Sequence, residues 1–318
     1  MSRARRAHRA RSVVVEARAK INLGLAVGPR RADGYHELAT IFQSVSLADT
    51  LTIRPRPSGF TLAVRYESAA ACGGPARSRR GEVPAGANNL VLRAARLLAG
   101  RRGWDGGARF ELVKRIPARA GLGGGSADAA AALIGLAALY RVRLARADRL
   151  SLAAELGSDV PFATLGGTAL GTGRGERLTS LKLAKPFRAL IAVPLWRIGT
   201  AQAYRALDAR RNHLTGWRAN LRFAQVLGRG PLMADRAMRL GNTFESVLGE
   251  RHREFAALRG HLENVGATCV RLTGSGSAVV GLLPEGRAGA AAVRRFRGME
   301  ALYFVRSTGR GVKLVIRS

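Results

Sequence analysis

The sequence has 318 residues, 47% of them hydrophobic and 23% charged, which is the composition of a globular protein large enough for two modest domains. Its longest apolar run, residues 129–139, is too short to span a bilayer, so composition argues against a membrane protein. The two cysteines, Cys72 and Cys269, are far apart and suggest neither a disulfide framework nor a metal cluster. A reducing cytoplasm is the expected location.

The net charge is strongly positive, because 53 Lys and Arg face only 21 Asp and Glu, which gives +32. Part of this excess lies in residues 1–12, which contain several arginines and no acid. That segment lacks the apolar core of a signal peptide, so it is predicted to be a basic disordered tail. A field of this sign attracts nucleotides, RNA and acidic surfaces alike, and it favours an anionic partner without saying which.

The first half of the chain mixes predicted strands with predicted helices. Strands are predicted over residues 12–19, 60–66 and 109–114, where β-branched or alternating apolar residues recur. Residues 40–53 are predicted to form two short strands that meet at a turn near Ala48 and Asp49. Helices are predicted over residues 90–99, 129–140 and 150–155. Residues 70–86 lack periodicity and are predicted to form a loop.

The sequence changes character near residues 182–186, which predicts one domain over residues 13–185 and a second over 186–318. Strands are predicted over residues 166–175 as a strand, turn and strand, and then over 189–194, 268–272, 277–283, 302–307 and 312–316. Helical segments are predicted over 200–209, 214–235, 242–261 and 285–296. This mixture of hairpins and helices predicts an α+β protein rather than a doubly wound parallel sheet.

The most informative stretch is residues 117–132, which read PARAGLGGGSADAAAA. Its glycines permit positive φ and a close approach of the backbone to a ligand. Ser126 is predicted to cap the following helix, and Asp128 to lie in its first turn. Free N–H groups at a helix N-terminus would then form a phosphate site. The alternative is a tight turn before a buried alanine helix.

The glycine stretch differs from the commoner phosphate-binding patterns. No Lys-Ser or Lys-Thr pair follows the glycines, which excludes the GxxxxGK[ST] pattern. The GxGxxG pattern fails because Ser126 stands where its third glycine would be. The HRD and DFG segments of protein kinases are also missing from the sequence.

Phosphoryl transfer also requires a group that positions or deprotonates the acceptor hydroxyl. Asp159 is the best candidate, because it lies in the turn GSDVP, whose backbone is restricted by Pro161. A lysine beside it would keep the carboxylate ionised and would polarise the hydroxyl, and Lys20 could play this part. The residues alone leave two alternatives open: Asp159 as an ordinary turn or cap residue, and Lys20 as a solvated lysine at a sheet edge.

Six segments, in this order, resemble the GHMP small-molecule kinases. They are AKINL (19–23), RADGYHEL (31–38), IPARAGLGGGSADAA (116–130), GSDVPF (157–162), GTALGTGRGE (167–176) and LTGSGSAV (272–279). The resemblance covers roughly residues 16–280, and its first, second and fourth segments are similar to the members that phosphorylate a cytidylylated methylerythritol in the non-mevalonate isoprenoid pathway. It implies a ribosomal-S5-domain-2-like N-terminal domain followed by a ferredoxin-like C-terminal domain.

The resemblance also implies an activity and its residues. ATP would phosphorylate the 2-hydroxyl of 4-diphosphocytidyl-2-C-methyl-D-erythritol, with Lys20 and Asp159 as the catalytic pair. The ATP phosphates would bind Pro117, Ala118, Arg119, Ala120, Gly121, Leu122, Gly123, Gly124, Gly125, Ser126 and Ala127, and Asn89 would lie near the adenosine. The substrate would contact Asn22, Tyr35, His36, Phe42, Thr200 and Tyr204, with Tyr35 and His36 facing the cytidine base.

The sequence departs from the family at Ala127, where many members have a second serine. Mg²⁺ would then depend on Ser126, water and the ATP phosphates, with no dedicated metal site in the protein. The expected partners are ATP and a small-molecule substrate, without a specific nucleic acid or a membrane, and the oligomeric state stays open.

Two other functions remain open from the sequence. One is another GHMP kinase acting on homoserine or mevalonate, against which Tyr35 and His36 argue, since those substrates carry no base. The other is a non-catalytic RNA-binding protein on the same fold.

Overall fold

The structure is a computed structural model of the chain, and it describes residues 12–67, 83–210, 214–285 and 299–316. The predicted tail, most of the loop predicted over residues 70–86, Cys72 and almost all of the helix predicted over 285–296 lie outside the described residues. The described helices include none with the length and hydrophobicity needed to cross a membrane.

The described residues form eleven strands and eight α-helices, with short 3₁₀ turns over Thr243–Val247 and Gly249–Arg251. The strands are β1 (Val13–Arg30), β2 (His36–Arg56), β3 (Phe60–Tyr66), β4 (Gly107–Lys114), β5 (Thr168–Gly173), β6 (Arg177–Leu181), β7 (Arg188–Pro194), β8 (Thr268–Leu272), β9 (Val279–Leu283), β10 (Met299–Arg306) and β11 (Val312–Ile316). The helices are α1 (Leu90–Arg102), α2 (Gly124–Leu139), α3 (Arg146–Leu156), α4 (Val160–Leu165), α5 (Thr200–Asp208), α6 (Trp217–Leu227), α7 (Ala234–Met238) and α8 (His252–Asn264).

The strands form two sheets. In the first sheet the order is β11-β1-β2-β4-β3, and β5 pairs with β2 and carries β6 on its other side. Only β3 and β4 pair in parallel in this sheet. The second sheet is antiparallel, in the order β10-β7-β9-β8. Mostly antiparallel sheets with helices packed on them confirm the predicted α+β class.

The first two strands are much longer than the sequence predicted. β1 has 18 residues and runs through Lys20, while β2 has 21 and continues through the predicted turn at Ala48 and Asp49. That turn prediction is wrong because the Asp49 carboxylate finds buried partners: it accepts hydrogen bonds from the N–H groups of Arg115 and Ile116. Because these hydrogen bonds satisfy the buried carboxylate, the aspartate can remain inside a strand despite its low β-propensity.

The core of the first layer lies where the alanine-rich α2 packs on the inner strands. Small side chains let this helix approach the sheet closely, and a Cβ on Gly135 would lie 2.3 Å from Ile53 Cδ1. Burial is the expected consequence for a helix that is apolar on every face from Ala129 onwards. This packing holds the N-terminus of α2 beside β1 and β2, where the predicted site residues lie.

The second half of the chain differs from its prediction in three places. The helical segment predicted over residues 214–235 is two helices, α6 and α7, because Gly228, Gly230 and Pro231 interrupt it. The helix predicted over residues 242–261 begins with 3₁₀ turns before α8. Strand β11 returns to the first sheet and pairs with β1, so residues 186–318 do not all belong to the second sheet. The domain boundary near residue 185 stays a prediction.

Candidate active site

The glycine loop, residues 117–123, leads directly into α2. Gly123 precedes the helix with φ of +69°, in the left-handed region that glycine occupies without steric penalty. The prediction that Ser126 caps the helix is wrong, because this turn at Gly123 starts the helix earlier and places Ser126 in its first turn. Asp128 accordingly lies in the second turn. The first N–H groups of α2 have no acceptor within the helix and are available to an anion.

A second glycine turn, residues 273–276, packs against the glycine loop. A Cβ on Gly121 would lie 2.4 Å from the carbonyl oxygen of Thr273, so only glycine allows this contact. The N–H of Ala278 donates to the carbonyl oxygen of Ala120 at 3.1 Å. The two glycine-rich segments that the sequence placed far apart therefore form one continuous wall.

Lys20 lies beneath the glycine loop. Its N–H donates to the carbonyl oxygen of Leu122 at 3.0 Å, and a Cβ on Gly123 would lie 2.9 Å from its Cγ. Lys20 is only 8% exposed, and β1 is an inner strand between β11 and β2. The alternative of a solvated lysine at a sheet edge is therefore wrong.

The Lys20 ammonium group meets the carboxylate of Asp159. Nζ donates to Oδ1 of Asn22 at 2.8 Å and lies 3.4 Å from Oδ2 of Asp159. Asp159 immediately precedes α4, yet its side chain makes no capping hydrogen bond. The structure thus brings together the two residues predicted as the catalytic pair, and it gives no support to a capping role for Asp159.

Asn22 is held by Thr273 of the second glycine turn and by Thr40 of β2. Its N–H donates to Oγ1 of Thr273 at 2.8 Å, and its Nδ2 donates to Oγ1 of Thr40 at 2.7 Å. The Thr40 hydroxyl in turn donates to the carbonyl oxygen of Gly24 at 2.7 Å. These bonds fix the amide so that its oxygen points to Lys20. Asn22 was predicted to contact substrate, and here it orients the ammonium group.

Phe42 lies below the same ammonium group. Lys20 Nζ is 5.3 Å from the ring centroid, a distance at which a cation is attracted to the ring face. The ring stacks on Phe162 of α4 at 4.8 Å between centroids and is 2% exposed. This burial gives Phe42 a supporting position, and its predicted contact with substrate stays a prediction.

His36 and Tyr204 form an aromatic pair close to Asp159. Their ring centroids are 4.9 Å apart and nearly parallel, and Tyr204 also meets Phe244 edge to face. Burial raises the pKa of Tyr204 to about 12, and the negative charge of Asp159 adds to the rise. His36 Nε2 bonds Oδ1 of Asp208 at 2.7 Å. Because an ionised carboxylate only accepts, this nitrogen carries a proton.

Tyr35 and Thr200 lie on the surface around this pair. Tyr35 is 52% exposed, and the Arg174 guanidinium lies 4.8 Å from its ring centroid. Thr200 is exposed at the start of α5, with its hydroxyl 3.0 Å from that of Ser275 in the second glycine turn. Both positions are open to a ligand, and the predicted substrate contacts of both stay predictions.

Asn89 caps helix α1. Its Oδ1 accepts from the N–H of Val91 at 2.8 Å and its Nδ2 donates to the carbonyl oxygen of Pro84 at 2.7 Å. Both ends of the side-chain amide are therefore engaged within the protein. The predicted position of Asn89 near adenosine stays a prediction.

Sequence reasoning missed a buried group of charges next to the glycine loop. Lys114 bonds both Asp49 and Asp128. Strand alternation could have found two of the three, because Lys114 shares a face of β4 with Phe110 and Leu112, and Asp49 shares a face of β2 with Leu51 and Ile53. Sequence reasoning also missed Asp208. Nothing in the sequence around it indicated a functional role, because only the folding of the chain brings it to His36.

The described residues contain no group of three or more His, Cys, Asp or Glu side chains that could hold a metal ion. Polar groups beside the glycine loop include the Ser126 hydroxyl in the first turn of α2 and the buried ammonium of Lys20, which is paired with Asp159. Such a site is built to receive an anion at backbone N–H groups.

Comparison with known proteins agrees with this geometry. Residues 89–167 match the GHMP kinases N terminal domain, and residues 226–299 match the GHMP kinases C terminal family. A homoserine kinase structure from Cytophaga hutchinsonii has a TM-score of 0.69 at 18% identity, covering 96% of this chain and 97% of that one, which shows the fold alone. Fold and site together define a GHMP kinase, a phosphotransferase that uses ATP and acts on an alcohol group.

Full-length relatives define the family more narrowly. A 4-diphosphocytidyl-2-C-methyl-D-erythritol kinase of Pelotomaculum thermopropionicum is 39% identical over 293 residues, covering 92% of this chain and 96% of that protein. The kinase of the same name from Nocardia farcinica is 40% identical, with 90% and 92% covered. A crystal structure of 4-(cytidine 5'-diphospho)-2C-methyl-D-erythritol kinase has a TM-score of 0.70 and 36% identity, with 92% and 98% covered. This chain belongs to the 4-diphosphocytidyl-2-C-methyl-D-erythritol kinase family, which confirms the family predicted from its six segments.

Proposed function

We propose that this protein transfers the terminal phosphoryl group of ATP to the 2-hydroxyl of 4-diphosphocytidyl-2-C-methyl-D-erythritol, a step in the formation of isoprenoid precursors. The observation that carries the proposal is the pairing of Lys20 with Asp159, at 3.4 Å, beneath the glycine loop. Family membership supports the choice of substrate over homoserine, mevalonate or RNA.

Asp159 is the group that accepts or orients the proton of the attacking hydroxyl. Its side chain is about a third exposed, so part of the carboxylate is open to a ligand while Lys20 lies beside Oδ2. The neighbouring ammonium orients the carboxylate and attracts the hydroxyl oxygen as negative charge develops on it. This assignment follows the general rule that phosphoryl transfer depends mainly on positioning and electrostatics.

The glycine loop binds the ATP phosphates. The N–H groups of Gly124, Gly125 and Ser126 lie at the positive end of α2, where an anion is stabilised. The remaining loop residues, from Pro117 to Gly123, approach the phosphates through their backbone, and Ala127 continues the helix. Asn89 marks the adenosine side, at the N-terminus of α1.

The residues present fit a Mg²⁺ ion that is held mainly by phosphate oxygens. Mg²⁺ keeps several waters and uses few protein ligands in kinase sites, which agrees with a site that offers the Ser126 hydroxyl and no carboxylate cluster among the described residues. When bound, the ion would neutralise charge on the phosphates during transfer.

The cytidine base occupies the region of Tyr35 and His36. Tyr35 offers an exposed ring for stacking, and His36 offers a polar edge whose orientation is set by Asp208. Tyr204 connects this region to Asp159, and Asn22, Phe42 and Thr200 complete the pocket around the acceptor. ATP and this small molecule are the proposed partners, without a specific nucleic acid, and we place the reaction in the cytoplasm.

An ADP-release assay tests the proposal directly. Purified protein with ATP and Mg²⁺ should release ADP only when 4-diphosphocytidyl-2-C-methyl-D-erythritol is added, and homoserine and mevalonate should give at most a few per cent of that rate. Folded protein that turns over one of the other alcohols instead would reject the proposed substrate. Binding of RNA without any turnover would favour the non-catalytic alternative.

A further inference from the structure

A cluster of three charged side chains lies directly below the glycine loop and takes no part in the mechanism proposed above. It consists of Asp49 on β2, Lys114 on β4 and Asp128 on α2, which are 0%, 5% and 2% exposed. Lys114 Nζ donates to Oδ2 of Asp128 at 2.7 Å and also to Oδ2 of Asp49. The ammonium group is therefore the centre of the cluster, with one carboxylate on each side.

The two carboxyl groups are connected to opposite ends of the glycine loop. Asp49 Oδ1 accepts from the N–H groups of Arg115 at 2.5 Å and Ile116 at 2.9 Å, which immediately precede the loop. Asp128 lies in the second turn of α2, just after the loop ends. Lys114 thus connects the entry of the loop to its exit through two buried hydrogen bonds to carboxyl groups.

The ammonium group also lies against the backbone that would contact the phosphates. A Cβ on Gly124 would be 3.3 Å from Lys114 Nζ and 3.0 Å from Ile116 Cγ2. Gly124 is the first residue of α2, and its N–H is one of those left without an acceptor in the helix. The Lys114 side chain is 4% exposed, so it acts on a ligand through this backbone rather than by contact.

A contribution to the stability of the fold does not by itself explain this cluster. Asp128 Oδ1 is buried without a hydrogen-bond partner, and one cation faces two carboxylates. Buried ion pairs of this kind often stabilise a protein no better than apolar side chains of similar volume. The stability of the core does not require these charges. Their presence is explained if they fix the conformation of the adjacent glycine loop.

We propose that Asp49, Lys114 and Asp128 form a clamp that holds both ends of the glycine loop in the shape that binds nucleotide phosphates. Lys114 is the positioning residue of this clamp. The inference rests on the proposed function in that it takes the glycine loop as the ATP site. Its consequence is selective, because none of the hydrogen bonds made by Asp49, Lys114 and Asp128 involves His36 or Tyr204.

Calorimetric titration of the full chain with ADP and, separately, with CDP tests the clamp. Lys114→Met should weaken ADP binding tenfold or more while CDP binding stays within twofold of the wild type. Lys185→Met is the matched control, because this lysine loses the same charge at an exposed pair with Glu285, and both affinities should be unchanged. Steady-state kinetics should show the same split, with KM for ATP raised and KM for the cytidylylated substrate retained.

Unchanged ADP binding in folded Lys114→Met would overturn the clamp, and so would an equal loss of ADP and CDP binding, which would indicate general damage. If that variant does not fold, Asp49→Asn provides the second test: it turns an amide towards Lys114 and should weaken ADP binding threefold or more, and unchanged binding would again overturn the clamp. Wild-type protein that binds no ADP at all would instead contradict the proposed function, so the two failures are distinguishable.

Discussion

Lys20 Nζ lies 3.4 Å from Oδ2 of Asp159, although one residue is in the middle of strand β1 and the other is in the turn before α4. Neither position is local to the other, and the contact exists only because α4 packs beside β1 under the glycine loop. A buried cation beside a partly exposed carboxylate is an arrangement that orients a base towards an acceptor hydroxyl.

Asp159→Asn should lower kcat by about 10²–10⁴-fold, because the amide cannot accept the hydroxyl proton. ADP affinity should stay within about threefold, since Asp159 does not contact the loop backbone. Stopped assays of ADP release and calorimetry with ADP measure the two quantities. Asp148→Asn, at an exposed aspartate in α3, is the control and should behave as the wild type. Retention of most of kcat in Asp159→Asn would contradict the assigned base.

Gly123→Ala should abolish most activity. The residue has φ of +69°, and the added Cβ would lie 2.9 Å from Lys20 Cγ, so the change both strains the backbone and displaces Lys20, the proposed catalytic lysine. Gly59→Ala is a closely matched control, because Gly59 has φ of +70° with open space around it. Both variants should lose about 1–2 kcal/mol of unfolding free energy from the left-handed conformation. Only Gly123→Ala should lose more than tenfold in kcat, and equal activity in both would argue against the close approach.

Asp208→Asn should raise KM for the cytidylylated substrate about tenfold and leave KM for ATP unchanged. The aspartate holds the proton on His36 Nε2 through a bond of 2.7 Å, so its loss frees the ring to change tautomer and orientation beside Tyr204. A tenfold effect corresponds to about 1.4 kcal/mol, the range of one charge-assisted hydrogen bond. Asp235→Asn, at an exposed aspartate in α7, serves as the control. A shift in KM for ATP as well as for the cytidylylated substrate would contradict the placement of Asp208 beside the cytidine site.

The free energy of unfolding should fall as pH rises from about 4 to about 8. Burial, opposed by Lys114 and assisted by the charge of Asp49, raises the pKa of Asp128 from its ordinary 3.8 to about 8. In that window the unfolded chain releases a proton that the folded protein keeps, and stability falls with pH wherever the folded state binds more protons. Above about pH 8 the folded and the unfolded protein have both released the Asp128 proton, so the contribution of Asp128 to the pH dependence of stability levels off.

Chemical unfolding of nucleotide-free protein at a series of pH values measures this slope. Asp128→Asn removes the titrating group while keeping its shape, so the difference in stability between variant and wild type should grow in favour of the variant across the same window. A difference that does not change with pH would show that Asp128 is ionised throughout.

Much of the local structure could be predicted from residue type and spacing. Strand β3 and helix α1 were recognised from period and composition, and the glycine loop from its unusual density of glycines before an alanine-rich helix. These features depend on steric freedom and propensity within a few neighbouring residues. The family segments then supplied the pairing of Lys20 with Asp159, which spacing alone left open.

Other features depended on partners that are distant in the chain. The turn predicted at Asp49 failed because the backbone N–H groups of Arg115 and Ile116 satisfy its carboxylate inside a long strand. The cap predicted at Ser126 failed because the chain enters the helix at Gly123, just after the Leu122 carbonyl that accepts from the N–H of Lys20. In both cases local propensity was outweighed by tertiary hydrogen bonding and packing.

The amino-acid sequence by itself determined the α+β class, the kinase family and the glycine-rich turn before an alanine-rich helix. Only the tertiary structure decided that Lys20 is buried, that Asp208 orients His36 and that Lys114 joins two carboxylates under the loop. The physical reason is that burial and charge pairing are set by which strands and helices become neighbours, and a strand's own residues do not specify the side chains that will face them.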